Sequence, residues 1–235
     1  MRGSSLFLAL LCASGLTLCH TVFASAVNPS RRVAAFNIHE RNMVDALLLF
    51  GQQEQIGIGI DYIDARALQQ KLTVELRATT VRHALDTITH HFGYRWLVNG
   101  PVVRVTHSGA MVGRRNLLNT RIANFKVSDM PIGLADCKLK GALHYALNPA
   151  SDGIVGDCPY NAESRVRRVE MDNAPVRQIL DAIVSGGNAA WVVQQPPWTM
   201  DKDLGHGLWQ VLPYNRTDGR YSLGLQVWGL GLHER

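Results

Sequence analysis

Three histidines lie close together in the segment "VRHALDTITHH", where imidazole rings could bind a metal ion or move protons. His90 and His91 follow His83 by seven and eight positions, which places all three on the polar side of a predicted helix. A helical zinc site uses ligands at i and i+4, or a carboxylate partner, and this spacing provides neither. We therefore expect no metal or other cofactor, and we interpret the histidines as part of a solvated helix face.

Two cysteines are the second candidate for chemistry. Cys137 and Cys158 lie in the body of the chain, and in an exported protein such a pair is most simply interpreted as a disulfide. The closed loop of about 20 residues would stabilise the fold by roughly 3 kcal/mol. A metal pair would need two more ligands, and no Cys or His cluster lies beside either cysteine.

No set of nucleophile, base and orienting group can be recognised along the chain. Ser185 precedes "GG" without the G-x-S-x-G elbow, and Cys137 precedes His144 without a cysteine-protease context. The chain also lacks a Walker loop, and "GIGID" lacks the third glycine of a dinucleotide fingerprint. We therefore expect that this protein is not an enzyme.

The N-terminal residues have the pattern of an export signal. Arg2 precedes an apolar run from Leu6 to about Leu18, and small residues in an A-x-A pattern follow at 24–26. The run is too short for a good membrane span, although an uncleaved N-terminal anchor is the alternative. We expect residues 1–26 to be a signal peptide, and the rest to be periplasmic and possibly associated with the outer membrane.

The charge pattern indicates which classes of partner this chain is expected to bind. The chain carries a formal net charge of +5, and its positive residues are scattered apart from "GRRN" and "RVRR". Nucleic-acid surfaces usually have a denser basic face with interleaved aromatic residues. We therefore expect no nucleic-acid partner, and membrane contact only indirectly, through another protein.

One sequence unit occurs twice. The segment "VRHALDTI" at 81–88 returns as "VRQILDAI" at 176–183, with five of eight residues identical. The same offset of 95 aligns Trp96 with Trp191 and Val74 with Val169, without a gap. Matches at a constant offset indicate an internal repeat.

Each copy predicts the same series of elements. "LTVEL" alternates like a half-buried strand, the repeated octapeptide has one apolar helix face, and "GYRWLV" or "AAWVV" resumes strand character. A looser strand–helix–strand pattern precedes each copy. The predicted fold class is α+β, with two small β-α-β-β-α-β-β domains, each with two helices packed on a small mixed sheet. The predicted boundaries are 33–107 for the first domain, 108–118 for a linker, and 119–235 for a second, divergent domain with an inserted loop and a C-terminal strand.

An arginine and an aspartate return with the repeat. Arg82 and Asp86, and again Arg177 and Asp181, are four residues apart, as in ion pairs on a helix face. Such exposed pairs contribute roughly 0.2–0.5 kcal/mol, and this order is the less favourable one. We interpret them as helix-face pairs or as contacts to the neighbouring copy.

The first copy resembles a known module. "FNIHERNMVDALLLFGQQEQIGIGIDY" and "LTVELRATTVRHALDTITHHFGYRWLVNGPVVRV" are similar to the short N-terminal domain of secretins and TonB-dependent transducers. The positions that carry this resemblance are core and turn residues: Ala46, Leu47, Gly57, Val74, Ala84, Leu85 and Tyr94. The resemblance spans about residues 34 to 106. The second copy is less similar, because its first helix lacks the Ala-Leu pair at the matching place.

The resemblance implies a non-enzymatic module that binds proteins in the cell envelope. Its expected partner is a secretin, a TonB-system protein or an anti-sigma component. No secretin pore or β-barrel sequence follows the repeats in this chain, so we expect an accessory role in outer-membrane secretion or TonB-dependent transport and signalling, without channel activity.

Two surfaces are candidates for binding. Val102, Val103 and Arg104 in "VVRV" could form a sheet edge that pairs with an extended partner, with Arg104 as a guarding charge. Alternatively, a small molecule or glycan could stack on tryptophans in a cleft between the copies. We expect Trp96 and Trp191 to be core residues, which leaves Trp198, in the inserted loop, as the best exposed aromatic.

Overall fold

The computed structural model describes residues 25–107, 116–150, 164–193 and 209–214. The elements alternate between strands and helices, which confirms the predicted α+β class. The strands are β1 (Arg32–Arg41), β2 (Gly57–Ile60), β3 (Leu72–Thr80), β4 (Tyr94–Asn99), β5 (Val102–His107), β6 (Arg121–Pro131), β7 (Arg165–Pro175), β8 (Ala189–Val193) and β9 (Trp209–Pro213). The helices are α1 (Met43–Glu54), α2 (Ala65–Gln69), α3 (Val81–His91), α4 (Ile132–Leu147) and α5 (Val176–Val184), with a 3-10 turn at Leu117–Asn119.

Two stretches of the chain contain corresponding strands and helices, and we call them unit one (β1 to β5) and unit two (β6 to β9). Each begins with a long antiparallel pair, β1 with β3 and β6 with β7. Left-handed residues recur at equivalent places, at Glu40 and Asp129 with φ of 53° and 44°, and at Ala78 and Asn173 with φ of 49° and 47°. The irregularities of the long strands are therefore repeated along with the core residues.

The remaining strands of both units form a single sheet. Its order is β4-β5-β2-β8-β9, and β2 pairs in parallel with β5 on one side and with β8 on the other. The sequence predicts a small sheet for each copy, whereas these strands from the two units are joined at β2 and β8. Because β2 is buried on both faces, it behaves as a central strand rather than an edge.

The two units cover opposite faces of this sheet. Ile58 and Ile60 of β2 pack in a core with α1 and α3, and Ala190 and Val192 of β8 join that core. Trp191 belongs to the other core, with α4 and α5. Alternate residues of each strand therefore serve alternate units, as the period of two in a strand requires.

Several predicted features fall outside the described residues. They are residues 1–24 of the signal peptide, most of the linker at 108–115, the strand "GIVGD", Cys158, Trp198 and the C-terminal strand from Tyr221. The described helices include none with the length and apolar character needed to span a membrane.

Candidate functional site

The repeated aspartate binds the repeated tryptophan in both units. The indole Nε1 of Trp96 donates to Oδ1 of Asp86 over 2.7 Å, and that of Trp191 donates to Oδ1 of Asp181 over 2.9 Å. Each bond ties a helix to the strand that follows it. The pairing explains why both residue types return at the same offset.

In unit two the arginine and the aspartate also contact unit one. Oδ2 of Asp181 accepts from Nε of Arg104 over 2.7 Å and from Nδ2 of Asn99 over 2.6 Å. Nε of Arg177 lies 3.2 Å from Oδ1 of Asp61. The ion pairs of these residues therefore cross between units, so their interpretation as contacts to the neighbouring copy is confirmed for unit two. The helix-face pairing of Arg177 with Asp181 is wrong.

This charge cluster lies in a largely dry environment. The side chains of Asp181 and Arg104 are 6% and 18% exposed, and those of Asp61 and Arg177 are 14% and 20% exposed. Burial raises the pKa of Asp61, and the positive charges of Arg177 and Arg104 partly oppose that rise. The two arginines thus place a positive charge beside each of the two buried carboxylates.

Glycines in β2 let the two units approach closely. A Cβ atom on Gly59 would lie 2.5 Å from Cε2 of the fully buried Trp191. The neighbouring isoleucines, Ile58 and Ile60, point to the opposite face and pack against unit one. The "GIGI" sequence therefore gives β2 a flat side that accepts the indole of unit two.

The equivalent face of unit one lacks such a neighbour among the described residues. β4 is the outermost strand of the sheet, and Arg82, Asp86 and Trp96 occupy the positions of Arg177, Asp181 and Trp191. The guanidinium of Arg82 lies 5.7 Å from the centre of the Trp96 ring, and no ion pair within the described part of the chain involves Arg82 or Asp86.

A shallow groove of about 480 Å³ runs along this face. Leu97 of β4 is 50% exposed. Apolar, aromatic and charged side chains line the groove: Pro29, Arg82, Asp86, His90, Arg95, Trp96, Leu97 and Val98. We call the outer edge of β4 together with this groove the β4 face.

The predicted edge at "VVRV" is wrong. Val102, Val103 and Arg104 belong to β5, which lies between β4 and β2 and is hydrogen-bonded to both. Val102 and Val103 are fully buried, and Arg104 binds Asp181 instead of guarding an edge. Sequence alone could not show that the strand following β4 lies inside the sheet, because the residues of its inner neighbour β2 that pair with it come 45 residues earlier in the chain.

The tryptophans and cysteines singled out in the sequence are buried, half-buried or outside the described residues. Trp191 and Trp209 are buried, so neither offers a stacking surface to a ligand between the units, while Trp96 is half-buried at the groove. Cys137 is buried on α4, and its predicted disulfide stays a prediction because Cys158 lies outside the described residues.

The three histidines lie where the sequence predicted them. His83, His90 and His91 are exposed on α3, which confirms their interpretation as a solvated helix face. Within the described ranges, no group of three or more His, Cys, Asp or Glu side chains is arranged to hold a metal ion.

Sequence reasoning missed Asp61 and Arg104 as members of the contact between units. The Asp that ends "GIGID" was a detectable signal, since a carboxylate after a buried strand needs a cationic partner.

Comparisons of the chain with family models, with curated proteins and with solved structures returned no significant match.

Proposed function

We propose that this protein is a non-enzymatic interaction module of the cell envelope that binds another protein through the β4 face. The observation that carries the proposal is the outer edge of β4, which pairs with no strand among the described residues, beside the half-exposed Leu97. A strand edge offers unpaired N–H and C=O groups to an extended partner, and adjacent side chains provide selectivity.

The construction of unit two supports this proposal. β8, the equivalent of β4, is paired with a strand on each side, and its outer neighbour is β2 of unit one. We interpret the two units as diverged copies of one small domain, each with a surface for adding a strand. Unit two fills that surface within the chain, whereas unit one keeps it for a partner.

The signal-like N-terminus and the resemblance to secretin and TonB short N-terminal domains support a periplasmic location. On this reasoning the partner is a secretin, a TonB-system protein or an anti-sigma component, and the protein is accessory to it. No cofactor is part of the proposal.

A pull-down from the envelope fraction tests the proposal. Residues 27–235 serve as bait, with Leu97→Lys as the variant and Tyr145→Lys as the control. Tyr145 on α4 is 52% exposed, so its substitution removes a similar apolar area away from the β4 face. We expect proteins captured by the native chain to be lost with Leu97→Lys and retained with Tyr145→Lys. An unchanged set of captured proteins with Leu97→Lys would contradict the proposal.

A ligand-binding role is the second candidate, favoured only by the half-buried Trp96 and the groove beside it. Titration of intrinsic fluorescence with cell-wall fragments tests it, using Trp96→Phe as the control. A saturable change that is lost with Trp96→Phe would favour this role over protein binding.

A further inference from the structure

The contact between the units is a template for what the β4 face binds. In that contact β2 runs parallel to β8, with Gly59 opposite Trp191 and Ile60 opposite Val192. The offset of 95 residues transfers these positions to Trp96 and Leu97 of β4. The residue opposite each position of β4 can therefore be deduced from its counterpart.

We propose that the β4 face binds an extended segment of another protein as a parallel strand of the pattern apolar–Gly–apolar–acid, with the glycine opposite Trp96 and the acid beside Arg82. This inference rests on the proposed function and specifies the chemistry of the partner.

The glycine follows from the position of the indole. A Cβ atom at Gly59 would lie 2.5 Å from the Trp191 ring, so only glycine fits there without displacing a buried side chain. The hydrogen bond from Trp96 to Asp86 holds its indole as the bond to Asp181 holds that of Trp191. A strand that pairs with β4 therefore meets the same ring at the same position.

The acid follows from the arginine. Asp61 directly follows β2 and pairs with Arg177, whose counterpart Arg82 is exposed and has no carboxylate partner among the described residues. Arg95 also lines the groove, so cationic side chains outnumber the single carboxylate of Asp86. A carboxylate on the bound strand would complement this charge.

Two differences between the units argue against a second copy of this chain as the occupant. In the contact between the units, Arg104 of unit one donates to Asp181. The registers of β4 with β5 and of β8 with β9 place Gln210 of unit two at the position of Arg104. If unit two of a second copy bound the β4 face, it would therefore offer Asp86 no cation. Ala190 of β8 packs against the helices of unit one. Arg95 occupies the equivalent position of β4, so an apolar helix does not fit against that side of β4. An extended segment of a different protein satisfies both conditions.

A peptide with the sequence of residues 55–63, QIGIGIDYI, is a direct probe, because it contains the strand that β8 already accepts. The peptide carries an N-terminal fluorophore, and its binding to residues 27–235 is followed by fluorescence polarisation. We expect saturable binding that Arg82→Glu weakens by about tenfold or more. Arg167→Glu, which changes an exposed arginine of β7, should leave the affinity unchanged.

A charge exchange makes the test specific. The peptide carrying Asp61→Lys should bind the native chain poorly and should bind the Arg82→Glu variant better than the native peptide does. The peptide carrying Gly59→Ala should also bind poorly, because its methyl group meets the Trp96 ring. Absence of binding by the native peptide, or equal binding to the native chain and Arg82→Glu, would overturn the inference.

The two proposals can fail separately. If Leu97→Lys removes envelope partners but the native peptide does not bind, protein binding at the β4 face stands and the partner pattern is wrong. If the peptide binds as expected but Leu97→Lys retains all partners, the β4 face accepts such a strand but does not serve the captured proteins.

Discussion

The same substitution at equivalent positions of the two units should have very different effects. Asp181 accepts hydrogen bonds from Trp191, Arg104 and Asn99, whereas Asp86 accepts only from Trp96 among the described residues. Asparagine keeps an oxygen for the indole but removes the charge. Asp181→Asn should therefore leave Arg104 without its counter-charge, and Asp86→Asn should weaken only one bond.

The magnitudes follow from burial. Removing one partner of a buried ion pair destabilises a protein by about 3–5 kcal/mol. Because 18% of the Arg104 side chain still contacts solvent, we expect a loss below that range, about 2–3 kcal/mol, for Asp181→Asn. For Asp86→Asn we expect about 0.5–1 kcal/mol, the net value of a single hydrogen bond.

Urea unfolding, followed by both tryptophan fluorescence and far-UV circular dichroism, measures these differences in the free energy of unfolding. Coincident transitions would justify a two-state treatment. A double-mutant cycle with Arg104→Gln should give a coupling of at least about 1 kcal/mol between Arg104 and Asp181. Equal effects of Asp181→Asn and Asp86→Asn, or the absence of coupling, would refute the reasoning.

Three further predictions concern stability. Gly59→Ala should destabilise the chain by about 1–3 kcal/mol in urea unfolding, because its methyl group overlaps a buried indole. Gly186→Ala should change little, because its methyl group would make only van der Waals contact with Asn188, and equal effects of the two substitutions would contradict the close packing at Gly59. Burial raises the pKa of Asp136 in the folded state. The free energy of unfolding of the native chain should therefore rise relative to that of Asp136→Asn as the pH falls from 7 towards 4. A difference between the two chains that is independent of pH would contradict this prediction. If Cys137 and Cys158 form a disulfide, its reduction should lower the free energy of unfolding by roughly 3 kcal/mol. Alkylation of both thiols in the unreduced, unfolded chain, detected by mass spectrometry, would disprove the disulfide.

The repeat could be recognised from the sequence, because residues at core positions recur at a constant offset. Trp96 and Trp191, and the apolar faces of α3 and α5, predict equivalent elements, and the structure contains them. Local periodicity determines such elements, since it depends on which side of a helix or strand is buried.

The shared sheet that joins the units could not be predicted from the sequence, because strand order in a sheet depends on contacts between residues far apart in sequence. β2 has β5 and β8 as neighbours, and no local pattern in "GIGI" specifies either one. The sequence left the repeated arginine and aspartate as either helix-face pairs or contacts to the neighbouring copy for the same reason. Their true partners in unit two, Asp61 and Arg104, lie 116 and 77 residues away.

The central claim is that the outer edge of β4, unpaired within the described part of the chain, accepts a strand, while the equivalent edge of β8 is filled by β2. Amide hydrogen exchange, resolved for Tyr94–Asn99 and Ala189–Val193, tests this directly. In the free chain we expect slow exchange throughout β8 and fast exchange at the β4 amides that do not bond to β5. Addition of the peptide QIGIGIDYI should slow exchange in β4 and leave β8 unchanged. Unchanged exchange in β4, or protection of its whole edge before any ligand is added, would contradict the account.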